Sequence, residues 1–188
     1  LDLYHANQEK QLWHMEGKVR SLVGAKVVVV GLGDIGGEFA KRVKALGGYV
    51  IGVRRADARK PEYADELVLA ERLDEVLPVA DVVAVCLPGT EHTRNLINRE
   101  RIGLMKKDAV LMNVGRGFVV DTEALCDALE NGSLGGACLD VTEPEPLPAG
   151  HRLWTAPHTL ITPHAAGHFH LQETYERVIR IAVDNLGR

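Results

Sequence analysis

Four histidines lie near the C-terminal end of the sequence, three of them in the stretch LITPHAAGHFH at 160–170. His164 and His168 stand four residues apart, a spacing that could bind zinc if the segment were helical. The Ala-Ala-Gly that follows His164 favours a loop instead, and no cysteine or carboxylate stands close by. We therefore predict no metal site, with a zinc hydrolase as the alternative. His164 is the candidate for acid–base chemistry, and His168 and His170 are expected at the surface, at the start of a last helix.

A glycine turn with the sequence GLGDIG follows a run of four valines. In this pattern Gly31 permits a tight strand-to-helix turn, and Gly33 lets the backbone approach a pyrophosphate. Gly36 allows the helix to pack closely on the strand, and the N-terminus of the helix faces the negative charge. Since a strand precedes the turn and a helical pattern follows it, the sequence predicts a dinucleotide site.

The next apolar run, VIGVRRADA, bears on which dinucleotide binds. Arg54 stands 23 residues after Gly31, where an acidic residue would bind the ribose 2′-hydroxyl of NAD. A guanidinium pairs with a 2′-phosphate, and Arg55 adds a second positive charge. We therefore expect NADP(H) to be favoured over NAD(H). The alternative is that both arginines are solvated and that Asp57 reaches the ribose of NAD.

Three further charged groups follow later strands of the sequence. Arg116 stands between two glycines in MNVGRGFVVD, and a proline-rich loop presents Glu143 and Glu145 after Asp140. The last strand ends in TPH at His164. The carboxyl ends of parallel strands share one edge of a sheet, so these groups are expected to meet there. A cation to orient a carboxylic acid and an imidazolium held by a carboxylate are the parts that hydride transfer to a carbonyl needs.

The elements that must hold these groups alternate in type. Helical patterns separate short β-rich apolar runs, and continuous apolar strands divided by helices predict a parallel sheet covered on both faces, a Rossmann-type doubly wound α/β fold. One helix is expected to begin after Asp121 as its N-cap and to end at Asn131-Gly132. The predicted strands are 26–30, 49–53, 66–70, 81–87, 109–114, 136–141 and 159–162.

Composition narrows the function classes. The chain has 188 residues, 46% of them apolar, and a net charge of −4, which gives no basic surface for nucleic acid. No apolar run approaches the ~20 residues that a membrane span needs. Cys86, Cys126 and Cys138 lie in apolar segments and are expected to be buried filler in a reducing cytoplasm. The absence of a leader and of an initial methionine suggests a cytoplasmic piece of a longer protein.

Several motifs in order give the chain a specific resemblance, covering nearly its whole length. They read GLGDIG, LPGTEHTRNLINRERIGLMKKDAVLMNVGRGFVVD, GACLDVTEPEPLP and LWTAPHTLITPHAAG. The chain resembles the nucleotide-binding domain of the D-isomer-specific 2-hydroxyacid dehydrogenases, which include phosphoglycerate dehydrogenases and glyoxylate/hydroxypyruvate reductases. The resemblance implies that Arg116, Glu145 (rather than Glu143) and His164 are catalytic, and that Asp140 contacts the nicotinamide carboxamide.

The resemblance also implies the protein's partners and domains. The implied activity is the reversible reduction of a small 2-oxo acid to a D-2-hydroxy acid, and the implied assembly is a homodimer. Residues 1–23 would be a linker helix, and 24–168 would be the dinucleotide-binding domain. Residues 169–188 would be a helix leading back to a missing substrate domain. Where family members that use NAD carry an acid, this chain has Arg54, as in NADPH-using reductases. The alternative is a cofactor-sensing interaction module like the corepressors that resemble this family. The residues predicted to bind cofactor are Gly31, Gly33, Asp34, Ile35, Gly36, Arg54, Arg55, Leu87, Pro88, Thr93, Val114, Gly115, Arg116, Asp140, His164 and Gly167.

Overall fold

A seven-stranded, fully parallel sheet forms the centre of the molecule, in the order β3-β2-β1-β4-β5-β6-β7. The computed structural model describes residues 2–15, 17, 19–56, 59–167 and 172–187. All seven predicted strands are confirmed, with slightly shorter bounds for most. The strands are β1 (Lys26–Val30), β2 (Tyr49–Arg54), β3 (Glu66–Leu69), β4 (Val82–Val85), β5 (Val110–Asn113), β6 (Gly136–Leu139) and β7 (Thr159–Ile161).

Helices and short 3-10 turns connect the strands. Asp121 caps the helix that follows β5, as predicted, because its carboxylate accepts a hydrogen bond of 3.0 Å from the backbone N–H of Ala124. That helix ends at Asn131, and Gly132 takes a left-handed φ of +69°. The α-helices are α1 (Asp2–Glu9), α2 (Asp34–Ala45), α3 (Leu73–Val76), α4 (Arg99–Leu104), α5 (Thr122–Glu130) and α6 (Gln172–Leu186).

The valines of β1 explain why the sheet is covered on both faces. Val28 and Val30 pack into the larger apolar cluster, which α5 joins, whereas Val27 and Val29 pack into a second cluster with α2. All four side chains are buried, and each buried valine contributes about 2 kcal/mol through the apolar surface removed from water. The predicted doubly wound architecture is thereby confirmed.

The strand order reverses direction at β1, which pairs with β2 on one side and β4 on the other. The ladder continues just past the strand ends, where Gly31 donates to the carbonyl of Val53 and Cys86 donates to that of Val30. Such a reversal opens a crevice at the carboxyl edge of the sheet, since the connections leave in opposite directions. The glycine turn lies in this crevice.

The N-terminal segment is less helical than expected. The predicted helix over 1–23 extends only from Asp2 to Glu9, because Gln11 adopts a left-handed φ of 54°. The N–H of Leu12 bonds to the carbonyl of Asn7 and that of Gln11 to Gln8, a pair of bonds that terminates a helix. The described residues between Gln11 and β1 form no further helix.

Some sequence expectations fall beyond the described residues, namely those for Asp57, His168 and His170. The predicted last helix is present as α6, from Gln172 to Leu186, and the part of that prediction at 169–171 lies outside the described residues. Within the described residues, every helix is too short or too polar to cross a lipid bilayer.

Candidate active site

The glycine turn is closely packed at two of its three glycines. Gly31 has a φ of +97°, and a Cβ there would lie 2.9 Å from the carbonyl oxygen of Cys86. A Cβ at Gly36 would lie 1.8 Å from the carbonyl oxygen of Gly31. Both positions therefore require glycine for the turn and for the packing of α2 on β1, the reasons expected from sequence.

Gly33 differs, since its φ is −75° and an added Cβ would have no atom within 4 Å. The protein's own packing thus does not demand glycine at this helix N-terminus, and the space beside it is open. A groove of about 390 Å³ runs past the turn, and its walls come from the ends of β1, β2 and β4. The open α2 N-terminus and the groove fit a dinucleotide. The groove is lined by Gly31, Leu32, Gly33, Val53, Arg54, Arg55, Ala56, Cys86, Leu87 and Pro88.

Two arginines border the groove at the end of β2. The Nη2 atom of Arg54 donates a hydrogen bond of 3.2 Å to the carbonyl of Leu32, which fixes the half-buried guanidinium across the glycine turn. Arg55 is exposed on the same groove. The arrangement puts positive charge where an acidic residue would otherwise meet a ribose.

Other residues predicted to bind cofactor are distributed around this edge. Asp34 and Ile35 are exposed in the first turn of α2. The Thr93 hydroxyl accepts a bond from the Thr90 N–H and bonds back to nearby carbonyls, so it is used in its own turn. Val114 extends β5 by bonding to β4, and Gly167 is exposed with open space around it.

Arg116 is held on a turn that a buried amide clamps. The side chain of Asn113 donates to the carbonyl of Arg116 at 2.9 Å and accepts from the N–H of Gly115 at 3.0 Å. The exposed guanidinium donates to the carbonyl of Gly115, and its stem lies against Gly89, where a Cβ would be 2.9 Å from the Arg116 Cγ.

The two glycines that flank Arg116 pack closely against the backbone of neighbouring segments. A Cβ at Gly115 would lie 2.5 Å from the carbonyl oxygen of Leu87, and one at Gly117 would lie 1.8 Å from that of Thr142. Close backbone packing therefore requires both glycines. It also brings the turn of Arg116 against the loop that carries Glu145.

His164 and Glu145 form a direct pair. The Nδ1 atom of His164 lies 2.6 Å from Oε1 of Glu145, and both side chains are a little over one-third exposed. Glu143 is exposed in the same loop. Its carbonyl oxygen accepts a hydrogen bond of 3.0 Å from the Thr122 hydroxyl. The structure thus brings Glu145, and not Glu143, to the histidine.

Asp140 organises the turn that follows β7. Its buried carboxylate accepts bonds from the Thr162 hydroxyl at 2.5 Å and from the N–H groups of Ala165 and Ala166 at 2.9 and 3.1 Å. Its carbonyl accepts from the N–H of His164 at 2.8 Å. These contacts fix His164 at a left-handed φ of 52°, a conformation uncommon for a residue with a side chain.

A cavity of about 490 Å³ lies beside the His164–Glu145 pair. Its polar side includes that pair and Asp140, and its apolar side includes Leu147 and Trp154. Arg116 is not among its lining residues, although its turn touches Thr142, three residues before Glu145. The full lining is Asp140, Thr142, Glu145, Pro146, Leu147, Trp154, Ile161, Thr162, Pro163 and His164.

The cysteines are protonated thiols at neutral pH. Burial raises the pKa of Cys86 to about 11, and it also raises the pKa values of Cys126 and Cys138. All three are free, and only Cys126 is fully buried. No group of three or more histidine, cysteine or carboxylate side chains that could hold a metal ion occurs among the described residues.

Sequence reasoning missed the residues that support the site. Asn113 and Thr142 are buried polar side chains at strand ends, and Thr162 bonds to Asp140. A signal existed for Asn113, because a polar residue interrupts the apolar run AVLMNV. Trp154, which lines the cavity, follows the proline-rich loop without a distinguishing pattern.

Comparison with known proteins gives consistent results. Residues 1–166 match the family model for the D-isomer specific 2-hydroxyacid dehydrogenase NAD binding domain. The glyoxylate reductase of Aeropyrum pernix is 40% identical over 166 residues, covering 88% of this chain and 48% of that protein. The chain spans about half the length of the curated relatives it matches.

Solved structures agree with the sequence match. A D-isomer specific 2-hydroxyacid dehydrogenase family protein from Aeromonas salmonicida superimposes with a TM-score of 0.88 and 34% identity, over 100% of this chain and 60% of that one. A family member from Xanthobacter autotrophicus in complex with NADPH and MES gives a TM-score of 0.77 and 36% identity, over 87% and 51% of the two chains. This chain therefore belongs to the D-isomer-specific 2-hydroxyacid dehydrogenase family, in which it corresponds to the NAD-binding domain.

Proposed function

We propose that the whole protein reversibly reduces a small 2-oxo acid to the D-2-hydroxy acid, with a nicotinamide dinucleotide as hydride donor. The observation that carries the proposal is the 2.6 Å contact between His164 Nδ1 and Glu145 Oε1. The pair lies at the carboxyl edge of the sheet, the edge where open α/β sheets bind ligands. An imidazole so held is suited to donate a proton to a developing alkoxide.

Glu145, His164 and Arg116 have different roles in the proposed reaction. Glu145 holds Nδ1 of His164 and orients the ring, so Nε2 is the atom that delivers the proton to the carbonyl oxygen. Arg116 orients the substrate carboxylate and polarises the carbonyl, since its planar fork suits two-point recognition. In the oxidative direction the same histidine accepts the hydroxyl proton.

For the cofactor we propose NADP(H) in preference to NAD(H). The support is the pair Arg54 and Arg55 on the groove beside the glycine turn, together with the NADPH bound in the Xanthobacter relative. When bound, the cofactor supplies the hydride. The residues proposed to hold it are the glycine turn for the pyrophosphate, Arg54 and Arg55 for the 2′-phosphate, and Asp140 near the nicotinamide.

For the substrate we propose glyoxylate or a similarly small 2-oxo acid, such as hydroxypyruvate. The support is that relatives 39–40% identical to this chain are a glyoxylate reductase and a glyoxylate/hydroxypyruvate reductase. Because this chain corresponds to about half of those proteins, we propose that a second domain of the whole protein closes the substrate cleft. We also propose that the protein acts as a homodimer.

The test uses the full-length protein and follows NADPH and NADH oxidation with glyoxylate, hydroxypyruvate, pyruvate and 2-oxoisocaproate. We expect turnover of at least one acid, and a loss of kcat of about 100-fold or more in His164→Asn with cofactor still bound. Cofactor binding without turnover of any acid would favour the sensing module instead. Near-normal turnover in His164→Asn would overturn the assignment of the proton donor.

A further inference from the structure

Buried polar side chains are concentrated at the site. Of the four buried polar or charged side chains among the described residues, three lie at the end of β5 or within three residues after β6: Asn113, Asp140 and Thr142, with exposed fractions of 1%, 6% and 8%. Burying a polar group is unfavourable unless its hydrogen bonds are made, so the hydrogen-bond partners of these three side chains indicate what they do.

Each of the three makes hydrogen bonds to the backbone of a different loop. Asn113 brackets the turn of Arg116, with its amide bonded on both sides of the peptide that precedes the arginine. Asp140 bonds to the two N–H groups that follow His164, and Thr142 donates to the carbonyl of Pro144 at 2.8 Å, one residue before Glu145.

We propose that Asn113, Asp140 and Thr142 form a positioning layer for the three proposed catalytic side chains. Asn113 fixes the turn of Arg116, Asp140 fixes the turn of His164, and Thr142 fixes the loop of Glu145. The inference rests on the proposed function. It gives Asp140 a positioning role beside the proposed contact with the cofactor, because its Oδ1 atom accepts bonds from the Thr162 hydroxyl and from the N–H groups of Ala165 and Ala166.

The layer is continuous through backbone contacts. The N–H of Asp140 donates to the carbonyl of Asn113 at 3.0 Å, and Gly117 packs on Thr142 so closely that a Cβ would lie 1.8 Å from its carbonyl oxygen. The left-handed conformation of His164 persists only if its surroundings determine it, and Asp140 supplies the bonds that do so. Small displacements of such groups cost catalysis heavily, about 100-fold for 1 Å.

The experiment makes Asn113→Ala, Asp140→Asn and Thr142→Val in the full-length protein, and measures kcat, KM for the 2-oxo acid, and the Kd of NADPH. We expect Asp140→Asn and Thr142→Val to lower kcat by about 10- to 100-fold, and Asn113→Ala mainly to raise KM for the acid. The Kd of NADPH should stay within about twofold in Asn113→Ala and Thr142→Val, which are not among the residues proposed to hold the cofactor. Asn113→Ser replaces the alanine variant if that one does not fold.

Two further measurements separate positioning from general stability. Asp140→Asn should cost little more once His164 is already Asn, and Asn113→Ala little more in Arg116→Ala, since a positioning residue acts only through its partner. Slow proton transfer in Asp140→Asn should also raise the solvent deuterium isotope effect on kcat. Thr159→Val is the matched control, because its hydroxyl also bonds a proline carbonyl two residues away, at Pro157 before β7.

The outcomes are distinct. If His164→Asn and Arg116→Ala keep their turnover, the proposed function fails. The proposed function stands if His164→Asn and Arg116→Ala lose turnover. The positioning layer nevertheless fails if the variants of Asn113, Asp140 and Thr142 weaken only NADPH binding, or if they behave like Thr159→Val.

Discussion

His164 Nδ1 and Glu145 Oε1 lie 2.6 Å apart, although the proline-rich loop, a 3-10 turn and β7 separate the two residues in sequence. Glu145 reaches the pair from the loop after β6, and His164 reaches it from a left-handed turn after β7. Since β6 and β7 are adjacent parallel strands, their carboxyl ends bring the two loops together. The pair is thus a product of strand order.

Replacing Glu145 by Gln should lower kcat by about 100-fold, because a neutral amide holds Nδ1 of His164 more weakly than a carboxylate does and orients the ring less well. The KM of NADPH should change little, as the glutamate does not line the groove at the glycine turn. Steady-state kinetics on the full-length protein measures both. Glu143→Gln, two residues away in the same exposed loop, is the matched control and should retain activity. Equal losses in the two variants would contradict the pairing.

Replacement by alanine should lower the free energy of unfolding much more at Gly36 than at Gly33. Gly36→Ala forces a Cβ to within 1.8 Å of the Gly31 carbonyl oxygen, and should destabilise the fold by about 2–4 kcal/mol in urea unfolding. Gly33→Ala meets no protein atom within 4 Å and should change stability by less than about 1 kcal/mol.

The same Gly33→Ala variant should bind NADPH at least about tenfold more weakly, because its methyl group occupies the space proposed for the pyrophosphate. Fluorescence titration measures the affinity. A stable Gly33→Ala protein with unchanged affinity would show that the cofactor does not approach this turn.

Asp81 lies directly before β4, at the amino ends of the strands, and stabilises the fold in a pH-dependent way. Burial opposes its ionisation, but hydrogen bonds of 2.7 Å from Lys106 and from the N–H of Lys26 outweigh that effect and lower its pKa. A lowered pKa in the folded state means that stability is present above the unfolded value near 3.8 and is lost as pH falls through the folded value.

Asp81→Asn should therefore reduce the free energy of unfolding by about 1 kcal/mol at pH 7 and pH 5. The difference from the parent protein should shrink once the pH falls below 3.8. Urea unfolding at several pH values measures it, with exposed Glu71→Gln as the control. A difference that grows on acidification would refute the sign of this linkage.

The strands and the glycine turn were predictable because their signals are local. Four consecutive valines indicate a strand buried on both faces, and the spacing of Gly31, Gly33 and Gly36 indicates a turn onto a helix. The convergence of a loop glutamate with His164 was predictable from one rule, that parallel strands end at a common edge, whereas the choice of Glu145 over Glu143 was implied by the family resemblance.

The supporting residues could not be predicted, because their partners are backbone groups brought near by the fold. Thr142 touches Gly117 across a loop, and Asn113 is paired with atoms whose positions depend on the turn they help to form. The N-terminal helix ended early for a similar reason: polar residues there permit a helix, and the terminating bonds at Gln11 and Leu12 follow no strong sequence signal.

Arg54 should decide cofactor preference, and Arg54→Asp should reverse it. Its guanidinium is fixed across the glycine turn by the Leu32 carbonyl, and loss of a charged hydrogen-bond donor to the 2′-phosphate should weaken NADPH binding by about 10- to 100-fold. NADH affinity should hold or improve, since a carboxylate there accepts from the ribose hydroxyls. Arg59→Asp makes the same charge change at an exposed position outside the groove lining, so it should weaken NADPH only through long-range attraction. Titration with both dinucleotides separates the two effects. Equal responses of the two variants would mean that Arg54 contributes net charge rather than a contact.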